Sequence, residues 1–137
     1  MRHEFDLTKW SNSDLFDYRG AEARSEKLKR AFDSIRKYNE NISYNPKRTL
    51  AINLSVLWKL TGISRKYIKQ WVTDNCQSIF LENKRACPGI KVPEDQECSY
   101  QTHQVPYSRC NHQRFSRDEV AGLLVKINLD FLFYEDN

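Results

Sequence analysis

The chain has 137 residues, of which 39% are hydrophobic and 29% are charged, and its net charge is +4. This length suits one folded domain, and the composition is unlike that of disordered chains. No stretch approaches the ~18 apolar residues of a membrane span, and the N-terminal sequence MRHEFDLTKW lacks the apolar core of a signal peptide. We therefore expect a soluble, cytoplasmic protein that does not contact a membrane.

The positive charge is concentrated in the middle of the chain. Residues 24–85 carry 14 Lys and Arg against 5 Asp and Glu, a net charge of +9, whereas both flanking regions are net acidic. Such a distribution is typical of a surface that binds phosphates, because neutralised phosphates release their condensed counterions. Solvent-exposed helices of other proteins can carry the same charge. The pattern therefore favours a nucleic-acid partner but does not establish one.

The first part of the chain is predicted to contain one long helix. Residues 1–20 hold scattered aromatic side chains, and we expect a loosely structured arm with one short helix that stops at Gly20. From Ala21 to Asn39, apolar residues recur at helical spacing with basic residues between them. This pattern predicts an amphipathic helix with a positive outer face.

A helix, a turn and a second helix are predicted next. Residues 39–48 should form a loop that includes Pro46, and Asn53 or Ser55 can cap the helix that follows. That helix is predicted over Leu54–Thr61. Gly62 can adopt the positive φ of a tight exit, and Ser64 can cap a second helix from Arg65 to about Asn83.

The two faces of this motif differ in chemistry. The positions that would lock the helices together are all apolar: Leu57, Ile63, Ile68 and Trp71. The opposite face carries side chains that can bond to base edges or phosphates. We predict a nucleic-acid site there, with two basic loop residues included: Ser64, Arg65, Lys66, Lys69, Gln70, Thr73, Lys47 and Arg48. Helical pairs of this kind also occur in proteins that never contact DNA.

Residues 54–73 resemble the helix-turn-helix of phage-repressor and recombinase-type DNA-binding proteins. The stretch LSVLWKLTGISRKYIKQWV, with Asn39 upstream and the later Cys110, Asn111 and His112, is also similar to a domain of cyanobacterial plasmid and mobile-element proteins. The resemblance implies binding of duplex DNA. Trp58 departs from it, because a small residue at that site usually lets the two helices approach. Either the helices splay apart, or Trp58 turns outward.

Four cysteines lie in and beside an irregular region predicted over residues 86–115. Cys76, Cys87, Cys98 and Cys110 contain no Cys-x-x-Cys pair, and a cytosolic redox potential keeps thiols reduced, so we expect free cysteines and no metal. The alternative is a zinc site formed by Cys87, Cys98, Cys110 and either His103 or His112.

The C-terminal region, residues 116–137, combines a helix with an apolar segment. Ser116 and Glu119 form a predicted capping box at the start of the helix. We expect an apolar run after the helix to dock a partner, either a second copy or a larger protein: Leu129, Phe131, Leu132, Phe133 and Tyr134. Alternatively, this run folds back onto the long helix near Phe32 and Ile35.

No sequence motif indicates catalysis. The chain has no Gly-x-Ser-x-Gly, phosphate-binding glycine loop or His-Glu-x-x-His sequence, and we expect no cofactor. The interpretation is a single mainly helical domain, a bundle of four to five helices, that binds DNA as a regulator or as an accessory factor of a mobile element. A protein-interaction adaptor within a larger complex that contains nucleic acid is the alternative.

Overall fold

Helices account for most of the residues that the computed structural model describes, namely 7–17, 20–89 and 110–133. In chain order they are a 3₁₀ turn at Leu7–Lys9, α1 at Asn12–Asp17, α2 at Ala21–Asn41, α3 at Leu54–Thr61, α4 at Arg65–Asp74, α5 at Cys76–Ala86, α6 at Cys110–Arg114, α7 at Arg117–Ile127 and a π-helical segment at Asn128–Phe133. The predicted mainly helical fold is confirmed. Within the described ranges, no helix is long and apolar enough to cross a membrane.

The long helix α2 lies at the centre of the bundle. Its apolar residues Leu28, Ala31 and Ile35 are almost fully buried, and it contacts α3, α4, α5, α7 and the π-helical segment. The amphipathic helix predicted from Ala21 to Asn39 is confirmed, and it continues to Asn41. Because most other elements pack on α2, this helix sets their relative positions.

The described part of the N-terminal arm packs on α2. Leu7 and Leu15 are buried in a small cluster with Ala23. The guanidinium of Arg30 donates to the side-chain oxygen of Asn12 at 2.6 Å and to the backbone oxygen of Leu7 at 3.0 Å. We expected a loosely structured arm. Instead, the hydrogen bonds from Arg30 connect residues 7–17 to α2.

The predicted continuous helix from Arg65 to about Asn83 is wrong, because it breaks at Asn75. The Trp71 carbonyl accepts both from the side-chain nitrogen of Asn75 at 2.9 Å and from the Asn75 backbone N–H at 3.0 Å. The backbone of Asn75 takes φ −120° and ψ 24°, and α5 starts at the next residue.

Residues 49–52 form an extended segment that is fully buried and held by three asparagines from three helices. In each case the side-chain oxygen accepts from a backbone N–H at 2.6–2.9 Å, and the side-chain nitrogen donates to the carbonyl of the same residue at 2.8–3.0 Å. The pairs are Asn39 with Leu50, Asn111 with Ala51 and Asn83 with Ile52. We call Asn39, Asn83 and Asn111 the asparagine clasp. It fixes the segment that leads directly into α3.

A buried carboxylate extends the clasp towards the turn after α2. Asn39 donates to Glu82 at 3.0 Å, and the Tyr44 hydroxyl donates to the same carboxylate at 2.9 Å. Burial and the hydrogen bond to Glu82 raise the pKa of Tyr44 to about 12. The guanidinium carbon of Arg85 lies 4.2 Å from the centre of the Tyr44 ring. Glu82 thereby joins α5 to α2 and to the turn that follows α2.

The expectation of free cysteines is wrong for this structure. Cys87 and Cys110 form a disulfide, and none of the cysteines among the described residues is a free thiol. The pair is formed because Cys87 directly follows α5, Cys110 begins α6, and both pack with Ala51 in a small buried cluster. Arg114 donates to both sulfur atoms, at 3.1 and 2.8 Å, and burial lowers its pKa. Within the irregular region predicted over residues 86–115, Cys110–Arg114 form the helix α6, and residues 90–109 lie outside the described part of the chain.

The start of α7 matches the prediction. The Ser116 hydroxyl accepts from the Glu119 backbone N–H at 3.1 Å, and the Glu119 carboxylate accepts from the Ser116 N–H at 2.8 Å. This reciprocal pair is the predicted capping box. Hydrogen bonding of the Glu119 carboxylate with the backbone and the side chain of Ser116 lowers the pKa of Glu119.

Candidate nucleic-acid interface

Two helices joined by a short turn, α3 and α4, lie where they were predicted within residues 54–73, and the turn is at the predicted glycine. The Asn53 side chain caps α3 by accepting from the Val56 N–H at 2.9 Å. At the other end of α3, Gly62 has φ 72°, and its N–H donates to the Trp58 carbonyl at 2.7 Å. A residue with a Cβ is strained at this φ, which explains the glycine. Ser64 precedes α4 as predicted, but its side chain makes no capping hydrogen bond.

The inner faces of α3 and α4 pack as the apolar pattern predicts. Leu57, Ile63 and Ile68 are buried in the main core. Trp71, the fourth predicted position, is half-buried, and its ring centre lies 6.4 Å from that of Phe32 on α2. Val72 is more deeply buried than Trp71 and occupies the inner side one residue further along. The inner side of α4 therefore packs in the core, and the opposite side of the helix faces solvent.

The predicted polar residues of α4 lie on that solvent-facing side. Ser64, Arg65, Lys66, Gln70 and Thr73 are exposed, and Lys69 is half-buried. We call these six residues the outer face of α4. The Gln70 amide donates to Asp74 at 3.1 Å, and the Thr73 hydroxyl donates to the Lys69 carbonyl at 2.9 Å. Asp74, beyond the predicted range, thus adds one carboxylate at the C-terminal end of an otherwise cationic and polar surface.

Two aromatic side chains flank this face, each beside an arginine. Trp58 turns outward and is 44% exposed, and the Arg65 guanidinium carbon lies 5.9 Å from the centre of its ring. Tyr67 is 42% exposed, and the Arg24 guanidinium carbon lies 3.7 Å from its ring centre. The outward turn of Trp58 lets α3 and α4 approach each other through smaller inner residues, so they need not splay.

Lys47 and Arg48, which were predicted to belong to the same site, are exposed but lie at the other end of α2. The Arg48 carbonyl accepts from the Tyr38 hydroxyl at 2.8 Å, whereas Tyr67 on α4 contacts Arg24. Positions 24 and 38 are separated by about 21 Å along α2 at 1.5 Å per residue. The structure therefore separates the two loop residues from the edge of α4 that carries Tyr67.

The predicted partner-binding segment divides between surface and core. Leu132 is buried in the main core and Phe131 packs partly against it, which matches the alternative that the segment folds back onto α2. Leu129 is 54% exposed, and Val125, one turn earlier, is 61% exposed. The Phe133 side chain and Tyr134 lie outside the described residues.

The described residues contain no group of three or more His, Cys, Asp or Glu side chains that could hold a metal ion. Of the alternative zinc ligands, Cys87 and Cys110 are joined to each other. Cys98, His103 and the His112 side chain lie outside the described part of the chain.

Sequence reasoning missed Arg24 and Tyr67 as members of this surface. Tyr67 interrupts a run of polar residues on α4, and an aromatic residue next to exposed lysines is a visible signal. Arg24 lies far earlier in the chain, and nothing local indicates that it reaches Tyr67. The departure at Trp58 was visible in the sequence, but its pairing with Arg65 required the structure.

No protein-family model matches this chain, and no similar protein was found either among curated proteins or among solved structures.

Proposed function

We propose that this protein binds duplex DNA through the outer face of α4, without catalysing a reaction, as a regulator or as an accessory factor of a mobile element. The observation that carries the proposal is the position of Arg65, Lys66 and Gln70 on an exposed helix whose other side is buried. A helix of ~10–12 Å diameter fits a major groove of ~12 Å width.

The side chains of the outer face suit both parts of DNA recognition. Arginine and glutamine can each form two hydrogen bonds with a base edge, to guanine and to adenine respectively, whereas lysine neutralises phosphates. The helix-turn-helix presents these groups from one rigid element, because α4 is held by α2 and α3. The proposal assigns base reading to Arg65 and Gln70 and phosphate contact to Lys66 and Lys69.

The direct test is binding of a labelled duplex at rising salt concentration. We expect the logarithm of the affinity to fall linearly with the logarithm of the salt concentration, as phosphate contacts require. Lys66→Gln should make this dependence shallower for all duplexes alike, whereas Arg65→Ala should cost about 1–3 kcal/mol more on the preferred sequence than on other duplexes. Lys126→Gln, which removes the same charge from an exposed site on α7, is the matched control. Absence of salt-dependent binding by the unmodified protein would refute the proposal.

The adaptor role is the second candidate, and the exposed Val125 and Leu129 favour it. They lie one turn apart and therefore on one side of the C-terminal elements. A protein partner or a second copy of this chain could cover them, and a dimer would also place two α4 helices on one DNA. Val125→Ser with Leu129→Ser should abolish association in analytical ultracentrifugation while leaving thermal unfolding nearly unchanged. An unchanged mass distribution would remove this candidate.

A DNA-binding role implies the cytoplasm as the working location. Disulfides are rare in that compartment, so the pair of Cys87 and Cys110 makes the location worth measuring directly. Fractionation of the source cells, with alkylation of free thiols before lysis, reports location and oxidation state together. Recovery outside the cytoplasm would contradict this part of the proposal.

A further inference from the structure

At each edge of the outer face of α4 an arginine lies near an aromatic ring, with guanidinium-to-ring-centre distances of 3.7 Å for Arg24 and Tyr67 and 5.9 Å for Arg65 and Trp58. Successive residues of an α-helix are about 100° apart, and Ile68 and Val72 point to the core. Lys66 and Gln70 therefore occupy the middle of the exposed side. Arg65 lies on the edge towards Trp58 of α3, and Tyr67 lies on the opposite edge, towards Arg24 of α2. The two arginines thus stand on opposite sides of one helix.

Arg24 of α2 and Arg65 of α4 have different partners from Arg30 and Arg36, the other arginines of α2. Within the described residues, the ion pairs join Arg30 to Glu26 and Arg36 to Asp33 and Glu40, and none includes Arg24 or Arg65. A guanidinium that stacks on a ring keeps its N–H edge available for a planar, two-bond contact with phosphate. The ring also restricts the arginine to a small set of positions before the ligand arrives.

We propose that Arg24 with Tyr67 and Arg65 with Trp58 form two phosphate-binding pairs, one for each DNA strand that borders the groove entered by α4. The inference rests on the proposed function and extends it from one helix to three. Arg24 makes a phosphate contact, Arg65 adds one to its contact with a base, and Trp58 and Tyr67 act as positioning residues. Contacts of this kind set the register of the protein on the duplex without reading its sequence.

The test compares variants of the two edges in the same salt titration. Arg24→Gln should make the salt dependence shallower by about 0.9 in logarithmic slope, the value for one lost phosphate contact. The matched control is Arg36→Gln, which removes the same charge from the same helix at a residue already paired with carboxylates, and we expect an unchanged slope.

The role of the rings is tested by keeping the arginines. Tyr67→Leu should weaken binding about two- to fivefold on every duplex, because it removes the cation–π contact, whereas Tyr67→Phe should bind like the unmodified protein. Trp58→Leu should behave like Tyr67→Leu, and circular dichroism would confirm that each variant is folded.

The outcomes separate this inference from the proposed function. Salt-dependent DNA binding that is unaffected by Arg24→Gln would overturn the two-pair inference and leave the function of α4 intact. A loss of binding by Arg24→Gln that is confined to one DNA sequence would also overturn it, since phosphate contacts are independent of sequence. No binding of duplex by the unmodified protein would refute the proposed function, and the inference would fall with it.

Discussion

Around Gly62, α3 and α4 are joined by apolar side chains that are close together in the sequence. The segment at residues 49–52 is instead held by the asparagine clasp, whose amide side chains lie 11, 31 and 60 residues from the backbone groups that they bond. The first region presents its polar groups to solvent, and the second uses buried polar groups to bond the backbone. Each asparagine of the clasp satisfies two backbone groups that water cannot reach. The two regions should therefore respond differently to substitution: the clasp in stability, and the outer face of α4 in binding.

The largest effect is expected at the asparagine clasp. Asn83→Ala leaves the N–H and the carbonyl of Ile52 buried and without their partner, and each such group costs about 1–3 kcal/mol. We expect the free energy of unfolding to fall by about 2–6 kcal/mol in urea denaturation. Asn41→Ala removes an exposed asparagine at the end of α2 and should change it by less than ~0.5 kcal/mol. Equal effects of the two substitutions would show that the clasp does not hold the fold.

The disulfide should contribute next to the stability of the same region. Cys87 and Cys110 are 23 residues apart, and a crosslink that closes a loop of this length stabilises a fold by about 3 kcal/mol through the unfolded chain. We expect a reducing agent to lower the melting temperature of the unmodified protein. Cys76 is also disulfide-bonded, so the reductant should lower the melting temperature of the Cys87→Ala, Cys110→Ala double variant by less than it lowers that of the unmodified protein. A melting temperature of the unmodified protein that is insensitive to reductant would contradict this account.

At the turn between α3 and α4, a smaller effect is expected from adding one methyl group. Gly62→Ala should destabilise the fold by about 1–2 kcal/mol, because φ 72° is unfavourable for a residue with a Cβ. Gly122→Ala is the matched change in α7, where a Cβ also meets open space, and it should stabilise the protein by up to ~1 kcal/mol. Opposite signs in thermal unfolding would support the described turn, and the same sign at both positions would argue against it.

These comparisons also show which parts of the structure the sequence could predict. The bounds of α3, the turn at Gly62 and the capping box at Ser116 all follow from patterns within a few residues. The break at Asn75 is a change in the backbone angles of one residue, and helical periodicity alone does not reveal it. The asparagine clasp and the contact between Arg24 and Tyr67 join residues that the chain brings together only after folding. Most of the outer face of α4 was therefore predictable from the sequence. The contact of Arg24 with Tyr67 at its edge and the asparagine clasp that holds the segment before α3 were not.

The smallest expected effect concerns the hydrogen bond between Tyr44 and Glu82 at alkaline pH. The pKa of Tyr44 in the folded protein is about 12, above the ordinary value of 10.0, so the folded state retains this proton while the unfolded state loses it. The contribution is complete below pH 10 and is lost as the pH rises towards 12. Tyr44→Phe should show a shallower decline of unfolding free energy across this range. Parallel pH profiles for both proteins would contradict the hydrogen bond.

The central claim is that the outer face of α4 is where this protein contacts DNA. Nuclear magnetic resonance titration of the labelled protein with a duplex tests it most directly, because every backbone amide reports separately. We predict the largest shift changes at Ser64–Thr73 and at Arg24, with small changes at Lys47 and Arg48. Changes confined to Val125 and Leu129, or no change at any amide, would contradict the account.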